Sequence, residues 1–195
     1  MITFGTPKHH WNYFLAIEKD LENLSRYIEF SNANLGTYSI ELTHILLSAS
    51  SEVDVIMKQL CSLVDPTQAA NNINDYKNII QAHLQDFINE EICIDRFGLS
   101  YKPWENWNGT QNPNWWRSFN NVKHQRNNHF NEANLQNTIN AVGALLLTVV
   151  YYYKHAFSNE AKYSIDFKET TIQLQPEASF MRIKANYYHD YLIAK

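Results

Sequence analysis

The sequence predicts an all-α bundle of about five helices that ends in a small C-terminal β-hairpin. Apolar residues recur every three or four positions in five long segments, as expected where one face of a helix is buried. After residue 160 the apolar residues recur at every second position, which is typical of a strand. We therefore expect a helical domain over residues 1–160 and a β appendage over residues 161–195 that packs on it.

The first three helices are predicted at residues 8–30, 37–64 and 72–91. Turn-forming residues at 31–36 separate the first helix from the second. The second helix ends at Asp65-Pro66, because the residue before a proline avoids the α conformation. Either Asn71 or Asn72 could cap the third helix.

The second half of the bundle begins with an aromatic loop. Residues 92–113 contain glycines and prolines together with two tryptophans, so we expect an ordered loop rather than a solvated linker. A fourth helix follows at 114–126. The fifth is expected at 132–157 with Asn131 as its N-cap, and its apolar C-terminal half predicts the most buried helix.

The tail is expected to be β-structure. Tyr163, Ile165 and Phe167 alternate with polar residues, and Ile172 and Leu174 do the same. Residues 168–170 could form the turn of a hairpin, and residues 180–184 could continue as a strand.

Composition limits the function. The chain has 195 residues, 45% of them hydrophobic, and a formal net charge of −4, so any nucleic-acid binding must use a local basic patch. The two cysteines lie outside any metal-binding spacing, and no glycine-rich phosphate loop is present. We expect no metal and no cofactor. The longest apolar run is too short to cross a bilayer, so a cytoplasmic protein without membrane contact is the expectation.

The most distinctive stretch is the predicted fourth helix. Arg117 and His124 are seven residues apart, which brings them to within about 20° of each other around a helix. Asn120 and Asn121 fall on the same face. A permanent cation, two amides and an imidazole therefore form one polar stripe.

These residue types suit RNA cleavage without a metal. Histidine titrates near neutrality and can move the proton of a 2′-hydroxyl, and arginine presents a planar fork of donors to a phosphate. Lys123 and Arg126 add positive charge beside Trp115 and Trp116, where cations could take phosphates and aromatic rings could stack on bases. The alternative is an ordinary surface helix whose tryptophans are core or interface anchors.

The chain resembles the HEPN superfamily, the higher eukaryotes and prokaryotes nucleotide-binding domain. The likeness covers residues 10–157 and is carried by the segment 46–54 of the second helix and by the segment 119–126 before a long apolar helix. In that family the motif is an arginine, usually followed by a polar residue, then four to six residues and then a histidine. Arg117, Ser118 and His124 fit at the long end of the spacing, although Ser118 stands where Asn, Asp or His is usual. Arg126 to His129 has only two intervening residues and is set aside.

The resemblance implies a helical, metal-independent endoribonuclease of a toxin or antiphage defence type. Arg117 and His124 would be catalytic, and a substrate would be positioned by Asn120, Asn121, Lys123 and Arg126. Glu52 on the second helix could orient Arg117 or His124, although a solvated or lysine-paired carboxylate is the simpler interpretation. Homodimerisation would bring two motifs into one cleft, and the partners implied are RNA or a nucleotide and an antitoxin protein. The alternative is a catalytically silent HEPN-like module that binds a nucleotide, RNA or a protein partner.

Overall fold

The computed structural model describes residues 7–184, and within them the chain is mostly helical with one small sheet. There are seven α-helices in this range: α1 His9–Leu24, α2 Ile40–Val64, α3 Ile73–His83, α4 Gln85–Asn89, α5 Asn114–His129, α6 Leu135–Ala161 and α7 Phe167–Gln173. There are three strands: β1 Ile92–Ile94, β2 Leu99–Tyr101 and β3 Arg182–Ile183. The predicted helical class is confirmed, with seven helices in the described residues where about five were expected.

Helices α2 and α6 form the centre of the bundle, and α1 and α5 pack on them. The starts of α2 and α6 are tied together, because the N–H of Leu135 donates to the carbonyl of Thr37 (2.9 Å) and the Thr138 hydroxyl donates to the carbonyl of Leu42 (3.3 Å). From Ala141 to Tyr151 every residue of α6 is buried, as its apolar sequence predicts.

Several predicted helix ends differ from the observed ones. α1 stops at Leu24 rather than at residue 30. Asn72, one of the two predicted candidates, caps α3, but backbone torsions at Leu84 divide the predicted third helix into α3 and α4. The N-cap of α6 is Asn134, whose side-chain oxygen accepts from the N–H of Asn137 (3.0 Å), and not Asn131.

A β-hairpin lies in the aromatic loop, residues 92–113, and not in the tail as predicted. β1 and β2 pair antiparallel, with Cys93 opposite Ser100, and the intervening turn closes at Gly98 with a left-handed φ of 62°. β3 pairs with the other edge of β1, so the sheet order is β2-β1-β3. The predicted C-terminal β-hairpin is therefore wrong: in the described residues, the tail contributes one strand to a hairpin formed some ninety residues earlier.

The strands predicted at residues 163–175 are wrong: this range contains no strand, and Phe167–Gln173 within it form helix α7. Asp166 caps this helix by accepting from the N–H of Glu169 (2.8 Å), and the ring of Phe167 lies 4.7 Å from that of Tyr151 on α6. A short apolar alternation cannot outweigh a capped turn that packs on the bundle. Residues 185–195 lie outside the described residues.

The tail is held to the bundle by a buried carboxylate on α1. Glu18 is 2% exposed and accepts backbone N–H groups from Ser179 (3.2 Å), Phe180 (3.0 Å) and Met181 (2.8 Å). The contact places the start of β3 beside β1. No helix of the described range is long and apolar enough to cross a membrane.

Candidate functional site

Helix α5 presents the predicted polar stripe to solvent. Its opposite face is buried and consists of Trp115, Trp116, Ser118, Phe119 and Val122. Arg117 and His124 are both exposed, and both lie before the single break in the helix, where Gln125 has φ −138° and ψ 46°. Arg117 and His124 are therefore separated by seven residues of regular helix, and this spacing places the guanidinium and the imidazole on one exposed face.

Neither of these two side chains is neutralised by a carboxylate in residues 7–184. Arg117 donates from Nη2 to Oδ1 of Asn114, one turn earlier, over 3.2 Å. His124 makes no hydrogen bond and no ion pair with any residue in that range. Both groups are consequently available to a ligand from solvent.

The two asparagines of the stripe have different partners. Asn120 donates to the carbonyl of Trp116 (3.0 Å), a contact within the helix. Asn121 donates instead to the carboxylate of Glu132, at 3.0 and 3.3 Å from its two oxygens. Asn121 thus connects the stripe to the turn that precedes α6, whereas Asn120 only supports its own helix.

Glu132 is the centre of a half-buried polar network. His129 lies 2.6 Å from it through Nδ1, and the Ser118 hydroxyl also donates to it. Asn137 on α6 donates to the Ser118 hydroxyl (3.1 Å) and to the carbonyl of Glu132 (2.9 Å). Burial raises the pKa of Glu132, but the hydrogen bonds from Asn121, His129 and Ser118 outweigh it and hold the pKa below its ordinary value.

The predicted cations lie on either side of the break. Lys123 precedes it and places its ammonium 5.3 Å from the centre of the Phe119 ring, whereas Arg126 follows it and is exposed. The sequence contains no Asp or Glu between Glu105 and Glu132. Within a chain of net charge −4, α5 is therefore a local basic surface.

Trp115 and Trp116 are not available for stacking on bases. They are 2% and 8% exposed, and Trp115 donates from its indole N–H to the carbonyl of Pro103 (2.8 Å). Their rings continue an aromatic cluster with Trp104, which is itself in contact with Trp107. These tryptophans anchor α5 to the preceding loop, as the simpler interpretation predicted.

Glu52 contacts neither Arg117 nor His124 but a histidine on α1. Its carboxylate lies 2.6 Å from Nδ1 of His10 on α1, and the ring of Tyr152 from α6 packs edge-on against that histidine at 5.3 Å. The structure shows no contact of Glu52 with Arg117 or His124 in residues 7–184, because its side chain joins α2 to α1.

The sequence patterns do not predict the contacts among His129, Glu132 and Asn137. His129 falls in the Arg126 to His129 segment that is set aside, and no pattern assigns a role to Glu132 or Asn137. His129 and Glu132 are three residues apart, a spacing that could have indicated their contact. No local spacing predicts that Asn121 meets Glu132 or that Ser118 meets Asn137.

Among the described residues, no group of three or more His, Cys, Asp or Glu side chains is placed to hold a metal ion. The sequence matches no family model, no curated protein and no solved structure.

Proposed function

We propose that this protein is a metal-independent endoribonuclease that uses the exposed face of α5. The observation that carries the proposal is the pair Arg117 and His124, which share one face of a regular helical segment and have no carboxylate partner in the described residues. The basic character of the segment between Glu105 and Glu132 supports it. The resemblance to HEPN nucleases independently points to the same two residues as the catalytic pair.

The chemistry needs one proton acceptor, one proton donor and one fixed positive charge. His124 takes the proton of the 2′-hydroxyl, or returns one to the leaving 5′-oxygen, while Arg117 stabilises the charge on the phosphorane. The 2′-oxygen forms a bond to phosphorus as the bond to the 5′-oxygen breaks. The products are a 2′,3′-cyclic phosphate and a 5′-hydroxyl. Lys123 and Arg126 bind neighbouring phosphates, and Asn121 is held in position by Glu132.

The proposal includes a homodimer. A single α5 face contacts a phosphate from one side only, and a second copy related by two-fold symmetry would supply the opposing cation and imidazole. By the same likeness, we place the activity in the cytoplasm as a toxin or antiphage effector, with an antitoxin protein as the regulatory partner.

The second candidate function is binding of RNA or a nucleotide without cleavage. One observation favours it: His124 has no group that orients its imidazole, whereas catalytic histidines are usually fixed by a hydrogen bond to the second ring nitrogen. In this function the same cations bind phosphates and His124 is an ordinary surface residue.

Cleavage of RNA in excess EDTA separates the two functions. We expect the purified protein to cut a mixed single-stranded RNA and to leave 2′,3′-cyclic phosphate ends. His124→Ala should lower the rate by about 10²–10⁴-fold, the range for loss of a general acid or base. Arg117→Ala should lower it by a similar factor because one charge-stabilising donor is removed.

Two matched controls are available on other elements. His44 on α2 is an exposed histidine, and Arg26, beyond the end of α1, is an exposed arginine. His44→Ala and Arg26→Ala should cut at the parental rate. Folded Arg117→Ala and His124→Ala proteins that also cut at that rate would refute the nuclease, and RNA binding without cleavage by the parent would establish the second function.

A further inference from the structure

A polar pocket of about 360 Å³ opens beside the start of α5. It lies between strand β2, the aromatic loop, the first turn of α5 and the first turns of α6. Five carboxamide side chains contribute to its wall: Asn106, Asn114, Gln136, Asn137 and Asn140. Its volume is at the lower end of the range of about 300–1,000 Å³ that small-molecule sites occupy.

These amides keep unused hydrogen-bonding atoms. The side chains of Asn106 and Gln136 make no hydrogen bond within residues 7–184. In that range only their backbone carbonyls accept hydrogen bonds, from Gly109 and Asn140 respectively. Asn137 donates from its NH₂ group to the Ser118 hydroxyl and to the Glu132 carbonyl, so its side-chain oxygen remains available as an acceptor. Asn114 accepts from Arg117 and keeps its NH₂ group as a donor. The wall therefore offers donors and acceptors side by side.

Tyr101, which also lines the pocket, has a buried hydroxyl without a hydrogen-bond partner in the described residues. A buried polar group without a partner is costly, and native proteins rarely leave one unless a water or a ligand satisfies it. Burial raises the pKa of Tyr101, so the group stays protonated. Its oxygen has almost no solvent-accessible surface, so a ligand acceptor reaches it only when a neighbouring pocket side chain shifts.

The charged side chains of the pocket do not form a cationic site for a phosphate. Two carboxylates, Glu91 and Glu105, face one ammonium group that also lines the pocket, Lys102. Glu91 is further held by Lys184, at 3.0 and 3.1 Å from its two oxygens. Arg117 does not line the pocket, but it donates to Asn114, which does.

A neutral group rich in donors and acceptors, attached to an anion, matches this arrangement. Nucleobases have that character, and unstacked RNA bases are recognised in proteins by hydrogen bonds to their edges. We propose that the pocket binds one base of a single-stranded RNA and so places the adjacent phosphate against Arg117. The inference rests on the proposed function for its substrate, and it adds base selection next to the cleaved bond.

Binding of short homopolymers tests the pocket separately from catalysis. The full-length protein carrying His124→Gln is titrated with fluorescent A8, C8 and U8 RNA, and Kd is followed by anisotropy. We expect one homopolymer to bind about tenfold more tightly than the weakest. The Kd for the preferred homopolymer should rise by roughly five- to tenfold, the effect of one lost hydrogen bond, in each of three variants: Asn106→Ala, Gln136→Ala and Tyr101→Phe.

Asn12→Ala on the exposed side of α1 is the matched control and should leave every Kd unchanged. Equal binding of all three homopolymers, insensitive to the three pocket variants, would overturn the inference while the nuclease proposal stands on its cleavage assay. Adenosine, cytidine and uridine 5′-monophosphates form a second arm. Binding of a free nucleotide that depends on Tyr101 and Asn106, without RNA binding, would support the base pocket and contradict the RNA substrate.

Discussion

At the scale of single residues, Glu132 shows how a carboxylate outside α5 supports the site on it. It accepts from Asn121, contacts His129 and keeps a lowered pKa despite partial burial. A group whose pKa is lowered by folding stabilises the folded state at pH values above its unfolded pKa, 4.5 here. That contribution disappears as the pH falls through the folded pKa.

Glu132→Gln should therefore destabilise the protein in a pH-dependent way. Above about pH 5 we expect the free energy of unfolding to fall by about 1–2 kcal/mol, because charge-assisted hydrogen bonds become neutral ones. The difference between parent and variant should shrink towards about pH 3. Urea unfolding at several pH values measures it, with exposed Glu29→Gln as the control. A difference that is constant with pH would show that Glu132 is not ionised in the folded state.

At the scale of elements, α6 packs tightly against strand β1 and the loop after β2 at Gly143. A Cβ added at Gly143 would lie 3.2 Å from Cγ1 of Ile92 and 3.3 Å from Cγ of Pro103. Glycine therefore lets β1 and the loop after β2 approach the central helix. The same approach brings the walls of the polar pocket together, since Pro103 also lines that pocket.

Gly143→Leu should destabilise the bundle by about 1–3 kcal/mol, because extra atoms must be inserted into a filled contact. Thermal unfolding followed by circular dichroism measures the effect. Gly36→Ala is the control, because nothing lies within 4 Å of its added Cβ. An unchanged melting temperature for Gly143→Leu would mean that the sheet moves away from α6 without cost.

At the scale of the whole molecule, Glu18 joins the first helix to the last strand. It accepts three backbone N–H groups more than 160 positions later in the chain. Burial raises its pKa, which the hydrogen bonds from Met181, Phe180 and Ser179 reduce only in part. Folding therefore favours the protonated form, and the contribution of Glu18 to stability declines as the pH rises from its unfolded pKa of 4.5.

Glu18→Ala should release the tail, because it leaves three backbone donors without their acceptor, at a cost of about 1–3 kcal/mol. Chymotrypsin should then cut faster at Phe180, which is 8% exposed in the parent. Cleavage is followed by mass spectrometry, with the exposed Asp20→Ala as control. Equal cleavage of both variants would contradict the role of Glu18.

Glu18→Gln tests the pH dependence. The neutral amide removes the cost of a buried charge but replaces one acceptor oxygen by an NH₂ group. We expect the stability of the parent relative to this variant to decrease between about pH 4.5 and pH 7. Urea unfolding at both pH values measures this difference, and an increase over the same range would show that the carboxylate is favoured in its charged form.

The sequence alone determined the features that depend on neighbouring residues. The helical class, a cap of α3 at Asn71 or Asn72, the buried α6 and the shared face of Arg117 and His124 all follow from periodicity or local capping, since residues three, four and seven apart share a helix face. Activity and RNA binding stay predictions.

Tertiary structure decided whatever joins distant segments. It paired β3 with β1, placed helix α7 within the apolar alternation at 163–175, linked Glu52 to His10 and brought Asn121 to Glu132. Such contacts depend on how the elements pack, and the energies that select them come from burial and hydrogen bonds across the fold. No local spacing in the chain specifies them.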